Sequence, residues 1–343
     1  MSPSPRQSNI ELLRIIAMLM VLTLHATFET FGYARIAAIQ HAPLRWLGII
    51  SAAAASMVCV DTFVFITGWF GTRFRLQGVV KLVGECTFIA LSMFGVLWLL
   101  GYQLPTHLFD FLKSIWSYWF VRAYLLLYLF TPVLNRFVDE SSERQLRNFL
   151  ICYLIISIPH SFVSSDTARG FSSVSFMGLY LMGRYLRLYL GPRLKRWPRR
   201  RFLGIYALCA FSMALLLWGS AFCSKSFHNW FVPVFTAYSN PFVMLGAACL
   251  LLYFSRLHFT SKTVNWLAAG SFAAYLTHQQ CYVRTHYFEL IRYIDQQVSQ
   301  PVLCVLCVIG AVLIIYLLSA LLDSVWRAIY SILNRKMCRK KTV

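Results

Sequence analysis

IELLRIIAMLMVLTLHATF, residues 10–28, decides the fold. It is apolar enough, and as a helix long enough, to cross the ~30 Å hydrocarbon core of a bilayer. It also carries Arg14 and His25, which a simple anchor would not need. Their spacing is almost three α-helical turns, so both side chains share a face, ~16 Å apart along the axis. Ionisable groups inside a membrane are costly and usually mark a pathway or a reactive site. The plainer alternative is a structural histidine bonded to a neighbouring helix.

The rest of the chain agrees with that first segment. Of 343 residues, 59% are hydrophobic and only 13% charged, with a mean hydropathy of +0.62. These values exclude a soluble globular domain. Ten apolar stretches fall near 10–30, 44–71, 79–101, 116–137, 147–163, 171–191, 202–222, 236–255, 263–283 and 300–327. The sixth is the weakest, because Arg184 and Arg187 interrupt it; they are expected to snorkel to the interface. The first stretch has the look of a secretory signal, but nine more follow it, and it reads as a permanent span.

The expected fold is therefore all-α, a polytopic membrane bundle of about ten transmembrane helices with both termini cytoplasmic. It forms one domain, 1–343, with no separate soluble domain. Counted by loop, 23 Lys and Arg lie on the side of the termini and 7 on the other, with Arg14 and Arg122 inside spans. The positive-inside rule gives the orientation. It also accounts for the net charge of +20 without nucleic acid. RLKRWPRRR, residues 193–201, then reads as an orientation signal that contacts membrane lipids. The ten cysteines show neither zinc nor redox spacing, so no metal is expected.

Several residues could carry chemistry in that frame. Glu11 precedes Arg14 by three residues and can pair with it on one helix face. Asp61, in VDTFVFITGWFGTRFR, sits at mid-depth of the second span and needs a partner there. Arg73 and Arg75 follow at the cytoplasmic rim; beside Arg14 they would suit phosphates, and alone they are topology signals. Glu85 lies close to the same rim and reads as an ion-pair partner. Trp119 and Arg122, at the outer end of the fourth span, suit sugar stacking and hydroxyl binding, or form an ordinary aromatic belt. Tyr275 and His278 share a face in the outer half of the ninth span. His286 and Glu289 follow at the outer surface.

Three of these stretches carry a resemblance. ELLRIIAMLMVLTLHA, VDTFVFITGWFGTRFR, and the pair YWFVRAYLLLYLFTPVLN and SFAAYLTHQ resemble the signatures of integral-membrane acyltransferase family 3, which includes bacterial O-acetyltransferases of exported glycans. Thr67 and Trp69 stand where the family usually has Ser and Phe, and the two arginines are two apart rather than three.

The resemblance implies an acyl-CoA donor, most often acetyl-CoA, held by Arg14, Arg73 and Arg75. His25 would be the general base on an acceptor hydroxyl, Glu11 would orient Arg14, and Asp61 would tune His25. Trp119, Arg122, Tyr275 and His278 would meet a cell-envelope glycan or its lipid-linked precursor. The location would be the bacterial inner membrane. The acyl group is not fixed, and a succinyl group remains open. The alternative is a transporter or flippase of a lipid-linked sugar or small acid, with His25 and Asp61 as a proton relay.

Overall fold

A computed structural model describes residues 6–32, 35–102, 108–163 and 169–339, which are helical with no strands. The helices, in chain order, are α1 (Ser8–Leu24), α2 (Ile36–His41), α3 (Pro43–Ser56), α4 (Cys59–Phe70), α5 (Leu76–Leu99), α6 (Leu108–Trp116), α7 (Trp119–Glu140), α8 (Glu143–Val163) and α9 (Ser173–Tyr185). They continue with α10 (Gly191–Arg193), α11 (Arg199–Ser220), α12 (Lys225–Phe235), α13 (Pro241–Phe254), α14 (Lys262–Ala269), α15 (Ser271–Gln279), α16 (Arg284–Gln297) and α17 (Pro301–Arg339).

Helix covers most of each of the ten apolar stretches, and among the described residues six helical segments are long and apolar enough to cross a membrane: Ser8–Glu29, Pro43–Phe70, Leu76–Leu99, Trp119–Glu140, Arg199–Ser220 and Pro301–Leu333. Every backbone polar group in hydrocarbon must be satisfied within the segment, which is why such stretches are helices. The structure adds three details to the sequence reading. The second stretch is interrupted at Met57–Val58, between α3 and α4. The ninth is two short helices separated at Gly270, and the last runs on as helix to Arg339. Part of the basic terminal cluster, Lys340 and Lys341, lies outside the described residues.

The chain forms two compact units. The first, Met1–Phe74 with Trp119–Ser261, holds α1–α4 and α7–α13. In it α4 packs on α9, α13 and α1, while α11 packs on α13 and α3. Close approach between α4 and α9 depends on two glycines. A Cβ on Gly68 would lie 2.2 Å from the Tyr180 carbonyl oxygen, and one on Gly183 would lie 2.7 Å from that of Phe65. Small residues at such crossings let backbones meet where no hydrophobic effect drives helices together. Phe65, Ile66, Phe176, Tyr180, Leu13 and Leu22 fill the space around this crossing and are almost fully buried.

The second unit, Arg75–Tyr118 with Lys262–Val343, holds α5, α6 and α14–α17. Here α15 packs on α17 and α5. Gly270 lies against Ala320, whose Cα would be 2.5 Å from a Cβ at that position. Polar groups are matched across the same seam: Thr277 with Ser319 at 2.6 Å and Ser271 with Tyr316 at 2.9 Å.

Candidate active site

The N-terminal end of α1 is tied down by its first two residues. Asn9 Nδ2 donates to the Phe254 carbonyl (2.9 Å), and Ser8 Oγ accepts from the Ser261 amide (2.9 Å). Glu11 and Arg14 come next on that anchored turn. They form the expected pair, Arg14 Nη1 to Glu11 Oε1 at 3.0 Å, with Glu11 buried and the arginine side chain 36% exposed. The carboxylate thus fixes a guanidinium that still reaches solvent.

His25 opens a π-type turn, His25–Glu29, at the other end of the same helix. Such widened turns often occur at functional sites because they re-aim side chains within a helix. The turn brings Glu29 to the imidazole, with Nε2 and Oε1 3.8 Å apart. The imidazole is largely enclosed, its side chain only 12% exposed. Glu29 is thus a carboxylate beside His25. Asp61, expected to tune it, is wholly buried in the first turn of α4, and neither of its carboxylate oxygens has a hydrogen-bond partner. Its position just after the Met57–Val58 break gives it the partial positive charge of a helix N-terminus. Cys59 and Tyr153 are within its electrostatic reach.

Arg73 stands exposed on the turn that follows α4. That turn is built by Gly71, at φ 61°. The Gly71 amide donates to Gly68 O (2.9 Å) and the Thr72 amide to Thr67 O (3.4 Å), the pairing of a Schellman cap. Asn135 of α7 and Tyr180 of α9 then clamp it. Asn135 Nδ2 donates to Thr72 O (3.0 Å), and the Tyr180 hydroxyl donates to Asn135 Oδ1 (2.6 Å).

Of the two arginines that the sequence assigned to the interface, Arg184 is largely enclosed and Arg187 is exposed. Arg184 lies over Gly71, where a side chain would put a Cβ 2.4 Å from its Nη1. It is 16% exposed, 3.8 Å from the exposed Asp139, and its Nε is buried with no hydrogen-bond partner. Arg187 stacks over the Trp69 ring at 4.9 Å. Tyr124 of α7 lies against Thr67 and within electrostatic reach of Arg14, and Tyr180 is within reach of both Tyr124 and Arg184. In the first unit Arg184 thus lies over the α4 turn that carries Arg73, and Arg14 is within electrostatic reach of Tyr124, which meets the same helix at Thr67. Glu11 and Asp139 are the carboxylates paired there.

The other expected residues are placed as follows. Trp119 is enclosed by rings, with centroids of Phe171 at 4.7 Å and of Phe176 and Tyr238 at 6.0 Å, while Arg122 is exposed. Arg75 is exposed at the start of α5 in the second unit. Tyr275 and His278 also belong to that unit. Both are buried, with ring centroids 6.2 Å apart, and His278 packs edge-on to Tyr287 at 5.4 Å. Among the described residues no group of His, Cys, Asp and Glu is arranged to hold a metal.

Comparison with known proteins gives one finding. A family model described as an acyltransferase domain, Acyl_transf_3, matches residues 7–320 and so runs through both units. A search of curated proteins and one of solved structures each returned no match.

Proposed function

The chain belongs to acyltransferase family 3 and is a multi-pass membrane acyltransferase; from that premise we propose that it transfers an acetyl group from cytoplasmic acetyl-CoA to a hydroxyl of a cell-envelope glycan or its lipid-linked precursor. The observation that carries the reading is the guanidinium cluster around the glycine-capped end of α4. Arg73 is exposed there, Arg184 has a buried Nε without a partner, and Arg14 is held by Glu11. Guanidinium groups bind phosphates through short charge-assisted hydrogen bonds. Arg75, exposed at the start of α5 in the second unit, is a further phosphate-binding candidate of its own.

In this reading the α1 N-terminus faces the cytoplasm of a bacterial inner membrane, with ten spans and both termini inside. The donor's phosphates rest on the arginines and its long pantetheine arm runs along α1 to His25. That arm resolves the ~16 Å offset between Arg14 and His25. Neutral His25 takes the proton of the acceptor hydroxyl as its oxygen attacks the thioester carbonyl. The C–S bond then breaks, and the CoA thiolate recovers the proton from the imidazolium. Glu29 orients the ring and offsets its transient charge. Acceptor-side candidates are Arg122 in the first unit and, separately, Tyr275 and His278 in the second.

Asp61, buried without a partner on an interrupted helix, favours a second reading: a carrier of a lipid-linked sugar or acid that uses Asp61 and His25 as a proton path. One experiment separates the two. Inside-out vesicles carrying the wild-type chain or His25→Ala receive acetyl-labelled acetyl-CoA, and label is counted in lipid and glycan fractions. Label with the wild type alone is expected. Equal label from both would remove His25 as the base, and no acetyl-CoA binding at all would leave the carrier.

A further inference from the structure

A second site lies at the opposite end of the first unit from the arginine cluster. A cavity of about 600 Å³ is lined by Arg35, Gln40, Cys223, Lys225, His228 and Asn229 above a broad apolar floor. That volume falls in the range of small-ligand sites. Its walls are braced. Gln40 Nε2 donates to the Ala221 carbonyl (2.9 Å), which ties α2 to the end of α11. His228 is 4% exposed and its Nδ1 meets Ser220 Oγ at 2.8 Å, so its ring is held in the cavity wall rather than free in solvent. Two cations line the cavity, and among the described residues that line it none is acidic. In sequence, the His25–Glu29 turn leads directly to it, through Gly32 to Arg35 and α2.

We propose that this cavity binds an acidic saccharide, with Arg35 and Lys225 receiving its carboxylate or phosphate and Gln40, Asn229 and His228 its hydroxyls. Two cations without an opposing carboxylate select an anion, because charge-assisted hydrogen bonds are about twice as strong as neutral ones. The two amides and the imidazole supply directional hydrogen bonding, which suits a polyhydroxylated ring. An anionic lipid headgroup shares the charge but makes little use of those groups. The proposal rests on the acyltransferase reading only for the ligand's role as acceptor. Binding is measured here without turnover.

Cys223 is an exposed thiol in the cavity wall and serves as the reporter. The full chain in neutral phosphatidylcholine proteoliposomes is treated with a membrane-impermeant maleimide, and labelling of Cys223 is followed by peptide mass spectrometry. A glucuronate-containing disaccharide should slow labelling about tenfold at saturation, and its neutral glucose counterpart far less. Protection should vanish in Arg35→Gln with Lys225→Gln and persist in Arg35→Lys with Lys225→Arg. An unliganded labelling rate equal to wild type reports an intact cavity in both variants.

Equal protection by the neutral sugar, or protection that survives the Gln pair, overturns the proposal. So does protection by added phosphatidylglycerol that the acidic sugar no longer increases, since the site would then belong to a lipid headgroup. Acetyl-CoA consumption is measured in parallel on the same preparation. Its absence beside intact sugar protection would remove the acyltransferase role and leave the binding site standing.

Discussion

In the second unit, Glu85 has Lys81 one turn before it on α5 and Arg327 within electrostatic reach, while Asp323 is paired with Arg327 at 2.7 Å. In the first unit, Asp61 is wholly buried with neither oxygen hydrogen-bonded, and Arg184 keeps a buried Nε without a partner. Both are buried charges in a membrane bundle, and Glu85 Oε1 lacks a hydrogen-bond partner too. Glu85 has cations within reach and Arg184 has Asp139 at 3.8 Å, whereas Asp61 has Cys59 and Tyr153 within electrostatic reach and no cation among the described residues. An uncompensated buried charge is among the costliest features a fold can keep. Where it persists at membrane depth, something other than stability accounts for it. The second unit spends its charges on itself; the first leaves some available to a ligand, a proton or a reacting group.

The largest effect expected from that difference is on His25. His25→Ala should lower acyl transfer by about 10²–10⁴-fold, the usual contribution of a positioned general base, with insertion and acetyl-CoA binding retained. Glu29→Gln, which keeps the shape but removes the charge 3.8 Å from the imidazole, should cost less than His25→Ala and act on turnover rather than donor affinity. Labelled-acetate transfer in vesicles, normalised to the amount of inserted protein, measures both. Full activity in His25→Ala would break the comparison outright.

A smaller effect belongs to the arginines. Charged hydrogen bonds contribute about 1.5–3 kcal/mol each. Arg73→Ala with Arg75→Ala should therefore raise the donor KM by about tenfold or more, and Arg184→Ala alone by about tenfold. Arg327→Gln in the second unit should leave the donor KM unchanged. Initial rates against acetyl-CoA concentration decide this. A donor KM that responded to Arg327 as strongly as to Arg184 would dissolve the distinction between the units.

Asp61 and Glu85 sharpen it further, in stability rather than rate. Asp61→Asn removes an uncompensated charge and should hold or raise the melting temperature in detergent while lowering transfer. Glu85→Gln takes away a carboxylate that answers Lys81 and Arg327 but is also opposed by Asp323, so it should cost less than the about 3–5 kcal/mol of breaking a well-matched buried pair. Its melting temperature should fall, with little change in transfer at permissive temperature. Opposite signs in the two melting shifts are the expected result; equal falls would mean that Asp61 has a structural partner after all.

Much of this was legible in the residues themselves. Apolar stretches of bilayer length had to become helices, and Glu11 three residues before Arg14 had to offer a pair, because both follow from local geometry. The enclosure of Arg184 was not legible. An arginine in an apolar helix looks the same whether it snorkels to lipid or bends over a glycine on another helix. Only the packing of α9 on Gly71 and Trp69 distinguishes the two. The clamp by Asn135 and Tyr180 was hidden for the same reason, since its partners come from three separate segments. Glu29 is a different case. Its i+4 spacing from His25 was visible, but an acidic residue beside the end of a span reads as interface until the π-type turn brings it onto the ring. The break at Met57–Val58 also left no clear sign, since neither residue is a helix breaker.

The smallest effect separates two neighbours that the sequence treated alike. Trp119 and Arg122 were both candidates for the acceptor, but Trp119 is packed among Phe171, Phe176 and Tyr238 while Arg122 faces outward. A ring enclosed in this way contributes aromatic contacts of about 0.5–1.5 kcal/mol per pair. Trp119 is half-buried, with part of its surface already taken by these rings. Trp119→Phe should therefore lower thermal stability slightly and leave the acceptor KM nearly unchanged. Arg122→Gln should do the reverse, raising the acceptor KM a few-fold with the melting temperature intact. If Trp119→Phe moved the acceptor KM more than Arg122→Gln did, the aromatic cluster would have to open to admit the sugar. The acceptor path would then run through the first unit's aromatic wall rather than past it.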